Sequence, residues 1–221
     1  VKNNKKHRTI QVDGKTLSAK AVIVATGSEA ARLGVPGEEE FRGKGVSYCA
    51  TCDGPFYQDK NVIVVGGGNG AIEEALFLTR FAKQVSIVHR RDDLRADRIL
   101  SDQARTHPKI YFFWHSSVEE IRGDKFVAAV VIKDLVSNKK LTVPADGVFV
   151  YIGMQPKTDP VRGLVKLDEK GFIITDDKLQ TSAAGIFAAG DVRSKGLRQV
   201  VTAAADGATA AFFAREFIEN F

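Results

Sequence analysis

Short, almost wholly apolar runs ending at glycine recur along the chain, separated by mixed stretches. They are Ala21-Val22-Ile23-Val24-Ala25-Thr26-Gly27, Asn61-Val62-Ile63-Val64-Val65 before Gly66, Gln84-Val85-Ser86-Ile87-Val88-His89, Asp146 to Gly153, and Gly185-Ile186-Phe187-Ala188-Ala189-Gly190. Runs of this length without polar alternation predict strands buried on both faces, as in parallel sheets. After the second run, Ile72, Ala75, Leu76 and Thr79 share one face at helical spacing, which predicts a βαβ unit up to His89. Arg8–Val12 and Leu17 flank the turn residues Asp13-Gly14-Lys15-Thr16 and predict a hairpin. Phe126–Ile132 and Leu141–Val143 predict an antiparallel insert around Asn138-Lys139-Lys140. An Ala-rich helix is predicted from about Gln199 to Phe217, and the Gly/Pro/Glu stretch Leu33–Glu40 reads as an exposed crossing between domains. The class is α/β: a middle domain flanked by two pieces, each ending in a glycine-capped apolar strand.

Composition narrows this only a little. A length of 221 residues with 44% hydrophobic and 27% charged residues is ordinary for a globular protein of one or two domains. No apolar run has the length of a membrane span, and no signal-peptide pattern opens the chain. The segment from Val1 through Lys2–Arg8 reads as the interior of a longer sequence, so the net charge of +5 carries little weight. No basic stripe is interleaved with aromatics, which argues against nucleic-acid binding. Two cysteines cannot staple a secreted scaffold; a reducing, cytoplasmic setting with a catalytic pair is expected.

That pair is Cys49-Ala50-Thr51-Cys52, followed by Asp53. Three readings compete for it. Half of a zinc site would need two more ligands, and His7, His89, His107 and His115 are scattered with no second such pair. Two inert buried thiols are an unusual outcome at this spacing. A redox disulfide is favoured, with Asp53 as the acid that moves the proton thiol–disulfide chemistry requires; a turn residue before Gly54-Pro55 is the competing role for Asp53. A dozen residues on, Gly66, Gly68 and Ala71 fit G-x-G-x-x-A between a strand and a helix, with Asn69 and Gly70 inside the turn. This context predicts a dinucleotide pyrophosphate laid on the helix N-terminus. At the end of the next strand, where an acidic residue would bond a ribose 2′-hydroxyl, stand His89-Arg90-Arg91, with Arg95 a turn later. Guanidinium groups there favour a 2′-phosphate, hence NADPH. A hydride donor does not readily reduce a disulfide unaided, so a flavin is expected between them. Gly190-Asp191 after a buried strand suits a flavin ribityl contact and equally a plain strand-to-helix turn.

Cys-Ala-Thr-Cys-Asp at 49–53, Gly-Gly-Gly-Asn-Gly-Ala at 66–71, His-Arg-Arg-Asp-Asp-Leu-Arg-Ala at 89–96, Ala-Thr-Gly at 25–27, Gly-Asp-Val at 190–192 and Arg-Gln at 198–199 together resemble the low-molecular-weight, bacterial-type thioredoxin reductases. The resemblance covers the chain. It implies two Rossmann-like nucleotide-binding domains, with an NADPH domain (32–159, carrying the redox cysteines) inserted into a discontinuous FAD domain (1–31 and 160–221). It also implies a homodimer in which electrons pass from NADPH through FAD to a Cys49–Cys52 disulfide and then to thioredoxin. Arg90, Arg91 and Arg95 would hold the 2′-phosphate and Asp53 would be the acid–base residue. Thr26, Gly27, Gly190, Asp191 and Arg198-Gln199-Val200 would contact FAD. The alternatives are a flavoprotein reductase of another, peroxiredoxin-type disulfide partner, or a catalytically incomplete NADPH-binding fragment. Three departures stand out. The family's first FAD-type glycine motif is absent. Pro55 replaces a bulky apolar residue. Ala205-Asp206-Gly207 puts an acidic residue where small ones are usual, which predicts a carboxylate near the flavin edge.

Overall fold

The computed structural model describes residues 2–3 and 7–220, with side chains from residue 7 onward. The opening segment Lys2–Arg8 therefore falls partly outside the described residues. The chain divides into two compact units: Ala30–Gly153, and an outer unit made of Val1–Glu29 with Met154–Phe221.

The inner unit is built on a five-stranded parallel sheet, in the order Val46–Ser47, Gly147–Val150, Asn61–Val65, Gln84–Val88, Ile110–Phe113. The apolar runs are explained by this sheet, because successive side chains point to opposite faces and both faces are covered. Val62, Val64, Val85 and Ile87 pack with Ile72, Ala75 and Leu78 of the helix Asn69–Leu78. Ile63, Val65, Val88 and Val148 face the other way, onto Val118, Ile121, Val130 and Ile132. These last belong to an antiparallel sheet of Ser116–Gly123, Val127–Asp134 and Lys140–Pro144. The insert thus has a third strand that the sequence pattern does not reveal. Its register shifts between Val118 and Glu120, so Val118 and Ile121 are both buried at a spacing that breaks the two-residue period.

Leu33–Glu40 lies wholly within the inner unit rather than forming an exposed crossing. Glu38 is only 3% exposed and accepts hydrogen bonds from the Leu33 N–H at 2.9 Å, the Gly34 N–H at 2.7 Å and the Tyr48 hydroxyl at 2.9 Å. Three donors compensate the buried carboxylate, so an acidic run can fold inward. Burial and the neighbouring Glu38 push the Tyr48 hydroxyl pKa up to about 12.

In the outer unit the hairpin pairs Arg8–Val12 with Lys15–Ala19 through a two-residue turn, Asp13-Gly14, both at positive φ. Lys15 and Thr16, expected in the turn, belong to the second strand. Val22–Val24 pairs in parallel with Ile186–Ala188. The second of these strands is fully buried, but Ile23 is 39% exposed, so the first is not buried on both faces. Arg8 is 2% exposed: its guanidinium donates to the carbonyls of Lys20 and Ala184 and lies 5.1 Å from the centre of the Phe217 ring. Carbonyl oxygens and a π face replace the lost water around this buried charge. The last helix, Val200–Glu219, buries Ala210 and Ala214 against Leu179 and Phe187. No helix among the described residues is long and apolar enough to cross a membrane.

Candidate functional site

The cysteine segment follows the edge strand Val46–Ser47 and forms the one-turn helix Ala50–Asp53. Cys49 and Cys52 are joined as a disulfide with Cα atoms 5.3 Å apart. Cys49 is the N-cap, its sulfur accepting the Cys52 N–H at 3.2 Å. Cys52 is exposed and Cys49 half-buried. Asp53 is held at the base of this helix, where its carboxylate accepts the Ser47 hydroxyl at 2.6 Å, and Ser47 Oγ in turn accepts the Cys49 N–H at 3.1 Å. One serine therefore joins the Asp53 carboxylate to the cysteine backbone and fixes its position. Nothing in the sequence pattern singles out Ser47.

Two further groups sit on the inner side of the redox helix. Tyr151, directly after the strand Gly147–Val150, accepts the Ala50 N–H on its hydroxyl at 2.5 Å. Burial, then the charges of Glu74 and Asp53, push its pKa well above the ordinary phenol value, so it stays a neutral hydroxyl. Glu74, on the helix Asn69–Leu78, faces Thr51, and its Oε2 is buried with no hydrogen-bond partner among the described residues. Burial, helped by the adjacent Glu73, raises its pKa above the ordinary carboxylate value, against the hydroxyl and amide of Thr51. A raised folded-state pKa means the native state binds this proton more tightly than the unfolded chain. The stabilisation it brings is complete below the unfolded value of about 4.3 and is lost as pH rises through the raised one. The variant E74Q is therefore expected to melt on the order of 2 °C above the parent at pH 8, with the gap closing towards pH 4. A gap that does not change with pH would remove the buried charge as its cause.

The glycine turn leaves the carboxyl end of Asn61–Val65 and borders a cleft of about 310 Å³ lined by Gly66, Gly67, His89, Arg90, Arg95 and Tyr151, among others. Gly66 has φ 147°, and a Cβ there would lie 2.4 Å from the Tyr151 carbonyl oxygen and 2.8 Å from the Ala71 Cβ. Gly67, not singled out in the motif, is equally constrained, since its Cβ would lie 2.4 Å from the His89 ring. At Gly68 and Gly70 a Cβ would meet nothing within 4 Å. Open space at the second motif glycine, at the N-terminus of a helix, fits a pyrophosphate group approaching the backbone. Ala71 is buried and packs under the turn, whereas the Asn69 side chain is engaged by Asp97, donating to its carboxylate at 2.7 Å and accepting its N–H at 2.9 Å. Arg90, Arg91 and Arg95 are all exposed; Arg90 and Arg95 line the cleft, and Arg91 is tied in through its carbonyl to the His115 N–H at 3.1 Å.

In the outer unit, Thr26-Gly27 and Gly190-Asp191 leave the same, carboxyl end of the parallel pair, because the Ala189 N–H donates to the Val24 carbonyl at 2.9 Å. Ligands of parallel α/β sheets bind at that end. Thr26 donates its hydroxyl to the Lys157 carbonyl at 2.6 Å. Asp191 Oδ1 is buried with no hydrogen-bond partner among the described residues, an acceptor well suited to a ligand hydroxyl such as those of a flavin ribityl chain. Arg198 lies 3.9 Å over the Phe172 ring and donates to the Asp191 and Arg193 carbonyls, while Gln199 caps the last helix and Val200 is 87% exposed. Asp206 takes the Gly190 N–H at 2.9 Å, Arg193 at 2.8 Å and Lys195 at 2.9 Å. Its carboxylate thus clamps the Gly190 turn to the helix.

A sequence profile described as pyridine nucleotide-disulphide oxidoreductase matches residues 1–207. The thioredoxin reductase of Peptoclostridium acidaminophilum is 49% identical over 98% of this chain and 71% of its own length. That of Listeria monocytogenes is 48% identical over 100% of this chain and 69% of its own. The crystal structure of thioredoxin reductase from Streptococcus pyogenes superposes with a TM-score of 0.93 at 46% identity, covering 100% of this chain and 72% of that one. The chain thus spans about 70% of the length of these relatives. An enzyme using a flavin and a pyridine nucleotide follows from the family. The chain belongs to the pyridine nucleotide-disulphide oxidoreductases and, among them, to the thioredoxin reductases.

Proposed function

We propose that electrons enter this protein from NADPH on the inner unit, pass through FAD on the outer unit, and leave from Cys49 and Cys52 to thioredoxin. The observation that carries the reading is Tyr151, which lines the cleft beside the glycine turn while its hydroxyl accepts the Ala50 N–H of the disulfide helix. One residue therefore borders both the cleft and the disulfide helix. Arg90, Arg91 and Arg95 hold the 2′-phosphate, and Gly66, Gly68, Asn69, Gly70 and Ala71 form the pyrophosphate turn. Thr26, Gly27, Gly190, Asp191 and Arg198–Val200 hold the flavin.

FAD supplies the conversion between a two-electron hydride and electrons delivered to sulfur. The residues of the chain handle the sulfur and the protons. Once the Cys49–Cys52 bond is broken by two electrons, Asp53, oriented by Ser47, holds the proton that one sulfur takes up. A thiolate of the pair then attacks the thioredoxin disulfide; the mixed disulfide is resolved by the second cysteine, which reforms the intramolecular bond and releases reduced thioredoxin. A homodimer in the cytoplasm completes the reading and rests on family membership.

NADPH is expected to bind much more tightly than NADH. A charge-assisted contact contributes about 1.5–3 kcal/mol, roughly ten- to a hundredfold in affinity. Replacing Arg90 and Arg91 together with alanine should remove most of that preference, read as the ratio of dissociation constants from nucleotide fluorescence. Equal affinities in the unmodified protein would sink the assignment.

A further inference from the structure

The arginine loop contains its own opposition. Between Arg91 and Arg95 lie Asp92 and Asp93, and a free carboxylate in a loop that must hold a phosphate dianion would repel it. Asp93 is not free. Its carboxylate is taken by the guanidinium of Arg105, which comes from the following helix Arg98–Thr106, and by the Leu94 N–H at 2.7 Å. Arg105 is itself laid over the Trp114 ring at 5.1 Å, and Trp114 is stacked on Phe112, with centroids 4.6 Å apart and planes 4° from parallel. The same Trp114 meets His89 edge-on at 6.3 Å.

His89 closes the ring from the other side. Its Nε2 is 3.1 Å from the Asp93 carbonyl oxygen. The imidazole is 5% exposed and holds its proton weakly, first because it is buried and then because Arg95, Arg91 and Arg90 surround it. A neutral ring facing a carbonyl must carry its hydrogen on Nε2, so it donates there. His89 also packs against Gly67, and the Arg95 N–H donates to the Gly67 carbonyl at 2.7 Å. The back of the loop is therefore tied to the pyrophosphate turn on one side and to Arg105 on the other.

We propose that Arg105 is a specificity-determining positioning residue, which favours the 2′-phosphorylated dinucleotide by neutralising Asp93 and fixing the loop that presents Arg90, Arg91 and Arg95. The proposal rests on the NADPH reading above. It adds a residue outside the arginine signature, from the following helix, acting on a carboxylate within the loop. The pair is partly open to solvent (Arg105 41% and Asp93 73% exposed), so its effect is modest and sensitive to salt.

The test is the ratio of NADPH to NADH dissociation constants in flavin-loaded protein at low ionic strength, for the parent, R105A, R105K, D93N and R105A/D93N. In R105A the preference for NADPH should fall roughly three- to tenfold, and the fall should shrink in high salt. The R105K variant should keep most of the preference, and R105A/D93N should recover it, because the uncompensated carboxylate is gone. An R105A ratio equal to the parent's, or a loss shared equally by NADPH and NADH, overturns the proposal, as does failure of D93N to rescue. Should R105A not fold, D93N alone decides: a ratio at or above the parent's supports the proposal, and a lower one overturns it. A parent with no preference would overturn the NADPH reading itself. A parent whose preference is lost in R90A/R91A but untouched in R105A would leave that reading standing and remove only this one.

Discussion

Serine at either Cys49 or Cys52 is expected to lower NADPH-dependent reduction of thioredoxin by at least about a thousandfold while leaving nucleotide affinity within twofold of the parent. The separation is possible because the fold asks little of the sulfurs beyond their chemistry. Cys49 acts as the N-cap of the redox helix by accepting the Cys52 N–H, and serine is a good N-cap in its own right. The helix is also held from outside, by Tyr151 on the Ala50 N–H and by Ser47 on the Cys49 N–H. Loss of activity with an intact nucleotide cleft would thus report electron transfer and not collapse. Alkylation gives the companion measurement: the unmodified protein should gain two reactive cysteines on reduction. Retention of a tenth of the parent turnover in both serine variants, or a cysteine count that never changes, would end the redox assignment.

Asp206→Ala should destabilise the outer unit by about 2–4 kcal/mol, because two cations are left without their anion in a largely dry site. The side chains of Arg193, Lys195 and Asp206 are only 13%, 12% and 15% exposed. Burial alone would raise the Asp206 pKa, but hydrogen bonds from Lys195, Arg193 and the Gly190 N–H outweigh it and hold the carboxyl below its ordinary value. A depressed folded-state pKa gives stability that is present above the unfolded value of about 3.9 and is lost as pH falls through the folded one. The difference between parent and variant should therefore be full at pH 7 and shrink below about pH 4. Hydrogen exchange at residues 186–189 measures it within the outer unit, which global unfolding of a two-unit chain would blur. An unchanged protection factor there would show that the clamp contributes nothing.

The parts of the fold legible in the sequence are those governed by neighbours along the chain. The parallel strands announce themselves because burial on both faces leaves no polar alternation, and the glycine turn because Gly66 and Ala71 answer to a local steric demand. The motif gives no reason for Gly67, whose constraint comes from His89, 22 residues away and brought close only by strand pairing. The strand Ser116–Gly123 hides behind its own register shift. Glu38 falls in a stretch that reads as exposed, yet it is buried, as is Arg8; their compensating partners include carbonyls and amides, which a side-chain pattern cannot display. Asp206 stands out in the sequence as an oddity among small residues, and in the structure its oxygens face Gly190, Arg193 and Lys195. At the site, the cysteine pair, Asp53 and the arginines were identifiable by residue type and spacing. Ser47, Glu74 and Tyr151 were not, since each acts through a contact that exists only after the sheet is assembled.

The strand order of the inner sheet has a consequence during synthesis. Val46–Ser47, which delivers the cysteines, has Gly147–Val150 as its neighbouring strand in the sheet, and the Ala50 N–H finds its acceptor on Tyr151, 101 residues downstream. A ribosome adding roughly 5–20 residues per second needs about 5–20 s to cover that interval. Throughout it the strand Val46–Ser47 lacks its sheet neighbour, while the helix Ala50–Asp53 can already pack on Asn69–Leu78. The sheet pairing and the Tyr151 hydrogen bond that fix the redox centre are therefore added late, after the βαβ core between residues 61 and 88 is already available to fold. Nascent chains halted before residue 147 should expose both cysteines to alkylation, and those extended past the exit tunnel beyond residue 151 should protect Cys49 first.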